Sequence, residues 1–149
     1  MTGTSLDGLD LALLDPDTLE CRGWAVHSFP CELRQALRSL ARSDTISLQA
    51  LGTTETRYSY WMAQRVRLQL HEWQVQPGEL MAVACHGQTL HHAPTGEAPF
   101  TFQLINPGLM AAELELPVVA DFRRTDVALG GQGAPLVPPF HQALFGEAG

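Results

Sequence analysis

The stretch that decides the fold is residues 3–29, GTSLDGLDLALLDPDTLECRGWAVHSF. From Leu9 to Leu13 every second residue is leucine, and this period of two predicts a strand with one buried face. The Asp15-Pro16-Asp17 segment has the residues of a turn, and residues 21–29 are typical of a second strand. The sequence therefore predicts a β-hairpin near its beginning.

After the hairpin, helical and extended patterns alternate along the chain. Leucines at helical spacing predict a first helix over 31–42, and the remaining predicted helices cover 47–73, 107–114 and 138–145. Predicted strands cover 80–85, 100–104 and 117–121. The run at 80–85 is apolar throughout, which is typical of a strand covered on both faces. This order predicts an α/β domain with a mixed sheet.

Length and composition fit one compact domain of 149 residues, of which 45% are hydrophobic and 17% charged. A formal net charge of −7 argues against binding to nucleic acid or to an anionic membrane. All nine basic residues are arginines, so neither a phosphate-loop lysine nor a Schiff-base lysine is present. No apolar run approaches the ~20 residues of a membrane span, and an acidic beginning argues against a secretory signal. The three cysteines lack CxxC spacing, which fits a reducing cytoplasm without structural zinc.

The first candidate site is the turn from Gly3 to Asp10, GTSLDGLD. Its glycines let backbone amides approach an anion, and its hydroxyls can donate to phosphate oxygens. Asp7 or Asp10 can hold a hydrated Mg²⁺. A surface turn built from ordinary turn residues is the alternative interpretation.

The second candidate is residues 85–94, CHGQTLHHAP, a predicted loop that follows the apolar run at 80–85. Loops at strand ends commonly hold ligands in α/β sheets, and His86, Gln88 and Thr89 offer donors and acceptors suited to a sugar. The three histidines have no acidic or cysteine partner at ligand spacing, so a metal site is disfavoured. A polar loop with one histidine at the strand end is the alternative.

The third candidate is residues 118–135, VVADFRRTDVALGGQGAP, where a short apolar strand again precedes charged side chains. Asp121, Arg123 and Asp126 are close enough in sequence for one ion-pair network. Either the guanidinium binds a carboxylate or phosphate while an aspartate binds sugar hydroxyls, or the network only holds the loop. The GGQG at 130–133 matches no phosphate-loop pattern, and Cys85 is expected in the core rather than as a nucleophile.

In this order and spacing the three segments resemble the N-terminal part of anhydro-N-acetylmuramic acid kinase, with residues 30–75 similar only in helical character. That family belongs to the actin, sugar-kinase and Hsp70 superfamily, so the resemblance implies a ribonuclease-H-like mixed sheet flanked by helices. It also implies ATP- and Mg²⁺-dependent phosphorylation of 1,6-anhydro-N-acetylmuramic acid. In this reaction water opens the anhydro ring and gives N-acetylmuramic acid 6-phosphate, within cell-wall recycling.

The resemblance also implies roles for individual residues. The turn that binds the ATP phosphates comprises Gly3, Thr4, Ser5, Leu6, Asp7, Gly8, Leu9 and Asp10, with Asp7 as a Mg²⁺ ligand. The residues that line the sugar cleft are His86, Gln88, Thr89, Arg123 and Asp126.

The same resemblance implies that residues 1–149 form an incomplete N-terminal kinase domain, inactive alone. The family has a strand before its Gly-Thr-Ser turn, and its catalytic base lies in a later segment. The complete protein is expected to be a cytoplasmic homodimer that binds the sugar and ATP. Two alternatives are a non-catalytic actin-like nucleotide-binding module and a metal hydrolase built on the histidines.

Overall fold

The predicted hairpin is the first element of the structure, a computed structural model that describes residues 6–135 and 137–146. Strand β1, Gly8–Leu14, pairs antiparallel with β2, Cys21–Ser28. In the turn, the Asp15 carboxylate accepts hydrogen bonds from the backbone N–H groups of Thr18 and Asp17, both at 3.0 Å. These donors, together with the ion pair to Arg22, lower the pKa of Asp15. The turn thus keeps a charged carboxylate that fixes the hairpin's connection.

Two helices follow and carry half of the buried apolar residues among those described, and the leucine spacing predicts the first of them. Helix α1 is Cys31–Arg42 and α2 is Leu48–Glu72. The latter begins at Ser47, whose hydroxyl accepts the backbone N–H of Ala50 at 3.1 Å and satisfies one of the free donors at the helix start. Leu37 of α1 and Tyr58 of α2 are fully buried. Among the described residues, no helix has the length and apolarity needed to cross a membrane.

The remaining strands form two further pairs. Strand β3, Val83–Ala84, runs parallel to β6, Val118–Val119, whereas β4, Gln88–Ala93, pairs antiparallel with β5, Phe100–Leu104. Within the described residues the strands therefore form three separate pairs. The mixed α/β character is confirmed, while the ribonuclease-H-like arrangement stays a prediction.

Two strand predictions need correction. The run at 80–85 is not a strand covered on both faces: only Val83 and Ala84 are in a strand, and Met81 is 77% exposed. Within the strand itself, Val83 is half-buried and Ala84 is exposed, so one face of the run is not covered by another layer. The predicted loop at 85–94 instead contains β4, because β5 supplies its hydrogen-bond partners.

The last helices frame the candidate site. Helix α3, Pro107–Leu114, begins at Asn106, whose side chain accepts the backbone N–H of Leu109 at 2.8 Å. The backbone N–H of Asn106 donates to the hydroxyl of buried Ser59 at 2.9 Å, which joins the start of α3 to α2. Helix α4 is Phe122–Ala128 and α5 is Pro138–Phe145. The charged residues that follow β6 therefore lie on a short helix rather than in a loop.

Candidate active site

The site is built where the parallel strands β3 and β6 end. Backbone hydrogen bonds join Val83 to Pro117 at 2.9 Å and Cys85 to Val119 at 2.8 Å. Because the strands are parallel, the residues that follow each of them lie at the same end of the pair. There the Nε–H of Arg123 donates a hydrogen bond to Nε2 of His86 at 2.7 Å. The structure thus joins two predicted sugar-site residues that lie 37 positions apart in the chain.

The tautomer of His86 follows from its two contacts. An arginine Nε always carries a proton, so Nε2 of His86 must accept, and the ring proton then sits on Nδ1. Nδ1 lies 2.9 Å from the carbonyl oxygen of Gly87, to which it donates. Burial, with a smaller contribution from the charge of Arg123, lowers the pKa of His86 although the Gly87 contact opposes the change. The ring is therefore neutral at pH 7.

This arrangement predicts a titration that can be measured. We expect NMR to give His86 a pKa below its ordinary value of 6.5, and Arg123→Gln to raise it part of the way. Below about pH 6.5, His86 becomes protonated in the unfolded chain while it is still neutral in the native state. The His86 contribution to the free energy of unfolding is therefore at its maximum above about pH 6.5 and decreases as the pH drops toward the lowered native pKa. A native pKa at or above the ordinary value would contradict the half-buried ring beside the Arg123 charge that lowers it.

Gly87 is required by the backbone at this position. Its φ of +77° lies in the left-handed region, and a Cβ there would approach the carbonyl oxygen of Leu104 to 2.8 Å and the Cβ of Ile105 to 3.1 Å. Only glycine fits such a conformation without strain. Gly87 is the glycine of the HGQ sequence, and its carbonyl group is the one that His86 contacts.

The predicted network of Asp121, Arg123 and Asp126 is wrong. Asp121 pairs with Arg124 at 3.3 Å, and the guanidinium of Arg124 lies 5.4 Å from the centre of the Phe102 ring. Consecutive helical residues point about 100° apart, so α4 directs Arg123 toward His86 and Arg124 toward β5. The two arginines have different neighbours because they occupy different positions around a helix, and a loop interpretation does not predict this difference.

Asp126 holds the glycine-rich loop at 130–133. Its Oδ2 accepts the backbone N–H of Gly133 at 2.6 Å, and its carbonyl oxygen accepts that of Gly131 at 2.8 Å. A Cβ on Gly131 would collide with the carboxylate, 2.6 Å from its Cγ. The loop therefore folds over the carboxylate. This packing explains why glycine stands at 131, which the GGQG sequence alone does not. A contact between Asp126 and a sugar stays a prediction.

Gly131→Ala is expected to destabilise the full-length gene product by about 1–3 kcal/mol, because the added methyl group overpacks against the Asp126 carboxylate. Gly52→Ala is the matched control, since a Cβ on this exposed glycine of α2 meets nothing within 4 Å. The control should stabilise by roughly 0.5–1 kcal/mol through helix propensity. Thermal unfolding of both variants provides the comparison, and equal stability of Gly131→Ala and wild type would contradict the packing.

Gln88 and Thr89 lie at the beginning of β4. Gln88 is 1% exposed, and its Oε1 has no hydrogen-bond partner among the described residues. Thr89 is half-buried and contacts Gln103, whose Nε2 lies 3.5 Å from the Thr89 hydroxyl and 2.7 Å from that of Thr101. Sequence reasoning missed Thr101 and Gln103, the two buried polar residues of β5. The alternation of polar and aromatic residues from Phe100 to Gln103 indicates a strand, but it predicts a buried aromatic face, whereas Phe100 is 50% exposed.

The predicted phosphate turn is described only in part, because Gly3, Thr4 and Ser5 lie outside the described residues. Leu6 is buried at a φ of +57°, a strained value for leucine. Leu9 is also buried, so both leucine side chains anchor the turn in the core. Asp7 is exposed, and Gly8 begins β1 where a Cβ would approach the carbonyl oxygen of His27 to 2.8 Å.

Other features give little support to different chemistry. Burial raises the pKa of the Cys85 thiol, which keeps it protonated and a poor nucleophile. In the part of the chain that the structure describes, no three His, Cys, Asp or Glu side chains gather as metal ligands do. Two surface grooves of about 540 and 380 Å³ lie along α2, and neither is lined by a predicted site residue.

Together, the fold and the site define an α/β protein with a polar cluster where two parallel strands end, the usual ligand position in this class. A family model for anhydro-N-acetylmuramic acid kinase matches residues 1–149, and the chain belongs to that family. The anhydro-N-acetylmuramic acid kinase of Pasteurella multocida (strain Pm70) is 43% identical over 149 aligned positions, which include 97% of this chain and 39% of that relative. The chain thus spans about two fifths of the curated relative that it matches, and the resemblance of its three segments to this family is confirmed.

Proposed function

We propose that the full-length gene product phosphorylates 1,6-anhydro-N-acetylmuramic acid with ATP and Mg²⁺, while water opens the anhydro ring to give N-acetylmuramic acid 6-phosphate. The observation that carries the proposal is the hydrogen bond between Arg123 and His86. It joins two of the three segments whose order matches the family. A phosphotransferase of cell-wall recycling also fits the family membership of the chain.

Arg123 is the residue best suited to hold the sugar. Its Nε is already bonded to His86, whereas its remaining N–H groups can donate to substrate oxygens. Within residues 6–135 and 137–146, no carboxylate lies within 4.0 Å of its guanidinium, so its charge is not neutralised. Thr89 and Asp126 lie on the elements that follow the same two strands and are proposed to complete the sugar site.

The nucleotide is proposed to bind at the turn from Gly3 to Asp10, with Asp7 as a ligand of Mg²⁺. ATP supplies the phosphoryl group, and the metal neutralises charge on its phosphates. The described part of the turn fits this role, because the Asp7 carboxylate is exposed and is a hard oxygen ligand of the kind that Mg²⁺ prefers. The strained backbone at Leu6 favours a functional turn over an ordinary one.

A ribonuclease-H-like arrangement, a homodimer and a cytoplasmic location complete the proposal. The location fits the cysteines, since Cys21, Cys31 and Cys85 are free thiols in the structure.

The decisive assay uses the full-length gene product with ATP, Mg²⁺ and the anhydro sugar. We expect ADP release that depends on the sugar, and a product with the mass of N-acetylmuramic acid 6-phosphate. N-Acetylmuramic acid, which lacks the anhydro ring, is the matched control substrate and should not replace it. Nucleotide binding without sugar-dependent turnover would overturn the proposal and favour the non-catalytic actin-like module.

A further inference from the structure

We propose that His86 is a positioning residue that orients Arg123 and makes no hydrogen bond to the substrate, an inference that rests on the proposed function of this site. A neutral imidazole has only two hydrogen-bonding atoms. In this structure Nδ1 contacts the Gly87 carbonyl at 2.9 Å and Nε2 contacts Nε of Arg123 at 2.7 Å. Neither ring nitrogen is left for a sugar hydroxyl.

The chain of contacts from Gly87 through His86 to Arg123 fixes the guanidinium plane. The guanidinium is planar and carries its donors in fixed directions, so a bond at Nε also sets where the other N–H groups point. A long side chain held in this way loses little further freedom when it binds a ligand. Both residues are half-buried, which limits competition by water for the Nε contact.

The neutral imidazole of His86 also affects the charge that Arg123 offers to a ligand. A carboxylate at the position of His86 would also orient the guanidinium, but it would neutralise the charge that attracts substrate oxygens. A neutral imidazole orients the group and leaves its positive charge available. No carboxylate of the described residues lies within 4.0 Å of Arg123, so this charge is kept for the ligand.

Four variants of the full-length gene product test the role. His86→Gln keeps an acceptor near the position of Nε2, and His86→Asn keeps one only near Nδ1. His86→Leu removes both, and Arg123→Gln removes the group that is positioned. We expect His86→Leu and His86→Asn to raise the sugar KM by about 10-fold or more. His86→Gln should restore most of the loss, and none of the three His86 variants should change the KM for ATP.

A double-mutant cycle separates positioning from direct contact. If His86 acts through Arg123, His86→Leu has little further effect on the sugar KM once Arg123→Gln is present. An undiminished effect in that background, or rescue by His86→Asn rather than His86→Gln, would show that His86 acts on the substrate or the Gly87 backbone instead and would overturn the inference.

A spectroscopic measurement keeps the inference separate from the proposed activity. In protein labelled with ¹⁵N-histidine, we expect the His86 ring to show the neutral Nδ1–H tautomer near neutral pH. Arg123→Gln should shift the population toward Nε2–H, and the Gly87 contact should retain part of the preference. A charged ring or the Nε2–H tautomer in wild type, or insensitivity to Arg123→Gln, would overturn the positioning role. A protein without sugar-dependent ADP release would instead contradict the proposed function, whatever the tautomer of His86.

Discussion

Asp7→Asn is expected to lower turnover at saturating ATP and sugar by about 10²–10³-fold, with little change in the free energy of unfolding. The substitution keeps the size of the side chain and one oxygen but removes the negative charge, and loss of a group that stabilises charge in phosphoryl transfer has an effect of this order. Asp7 is exposed immediately before β1, so we expect the fold not to depend on its charge. Steady-state kinetics over a Mg²⁺ titration should show that the variant needs more metal.

Asp17→Asn is the matched control for this experiment. Asp17 is also an exposed aspartate of the hairpin, but it lies in the connecting turn, where its backbone N–H rather than its carboxylate bonds to Asp15. Turnover and Mg²⁺ dependence of the control should equal those of wild type. If Asp7→Asn also behaves as wild type, Asp7 is not part of the metal site.

The elements predicted well from sequence are those with local causes. Helix α1 follows from leucines at helical spacing, and α2 begins at a serine whose hydroxyl caps it. The hairpin follows from the alternating leucines and from Asp15, which bonds to residues two and three positions later. Each of these causes acts within a few residues, so a single sequence contains the whole argument.

The elements predicted poorly depend on distant partners. Strand β4 exists because β5 pairs with it, and its own polar residues show no simple alternation. The parallel pair of β3 and β6 has two residues in each strand, too few for a periodic signal. Which residues the two strand ends bring together therefore depends on a pairing that only the fold reveals.

The candidate site shows the same division. Motif reasoning selected both His86 and Arg123, but their direct contact depends on the strand pairing and on the register of α4. A loop interpretation of residues 121–128 gives no structural reason for Arg123 and Arg124 to differ, whereas the helix makes them point to different neighbours. The glycines at 130–133 are also explained only by the fold, because the carboxylate of Asp126 lies against the loop and leaves no room for a Cβ at Gly131.

Arg123→Ala is expected to raise the KM for 1,6-anhydro-N-acetylmuramic acid by about 10–100-fold in the full-length gene product and to leave nucleotide affinity unchanged. Hydrogen bonds from a charged group to a ligand in a partly buried site have a value of this order. Arg123 follows β6 and contacts His86 at the end of β3, whereas the proposed nucleotide turn leads into β1 and includes its first residues. Sugar kinetics at saturating ATP and direct measurement of nucleotide binding provide the two readouts.

Arg124→Ala is the matched control, because it removes an arginine from the next position of the same helix. Arg124 pairs with Asp121 and lies over Phe102, so its loss should leave the sugar KM near that of wild type. A general effect of lost positive charge would appear in both variants and would contradict a specific role for Arg123. If Arg123→Ala instead abolishes nucleotide binding and spares sugar affinity, Arg123 belongs to the nucleotide site, and the division between the β1 turn and the β3–β6 end is reversed.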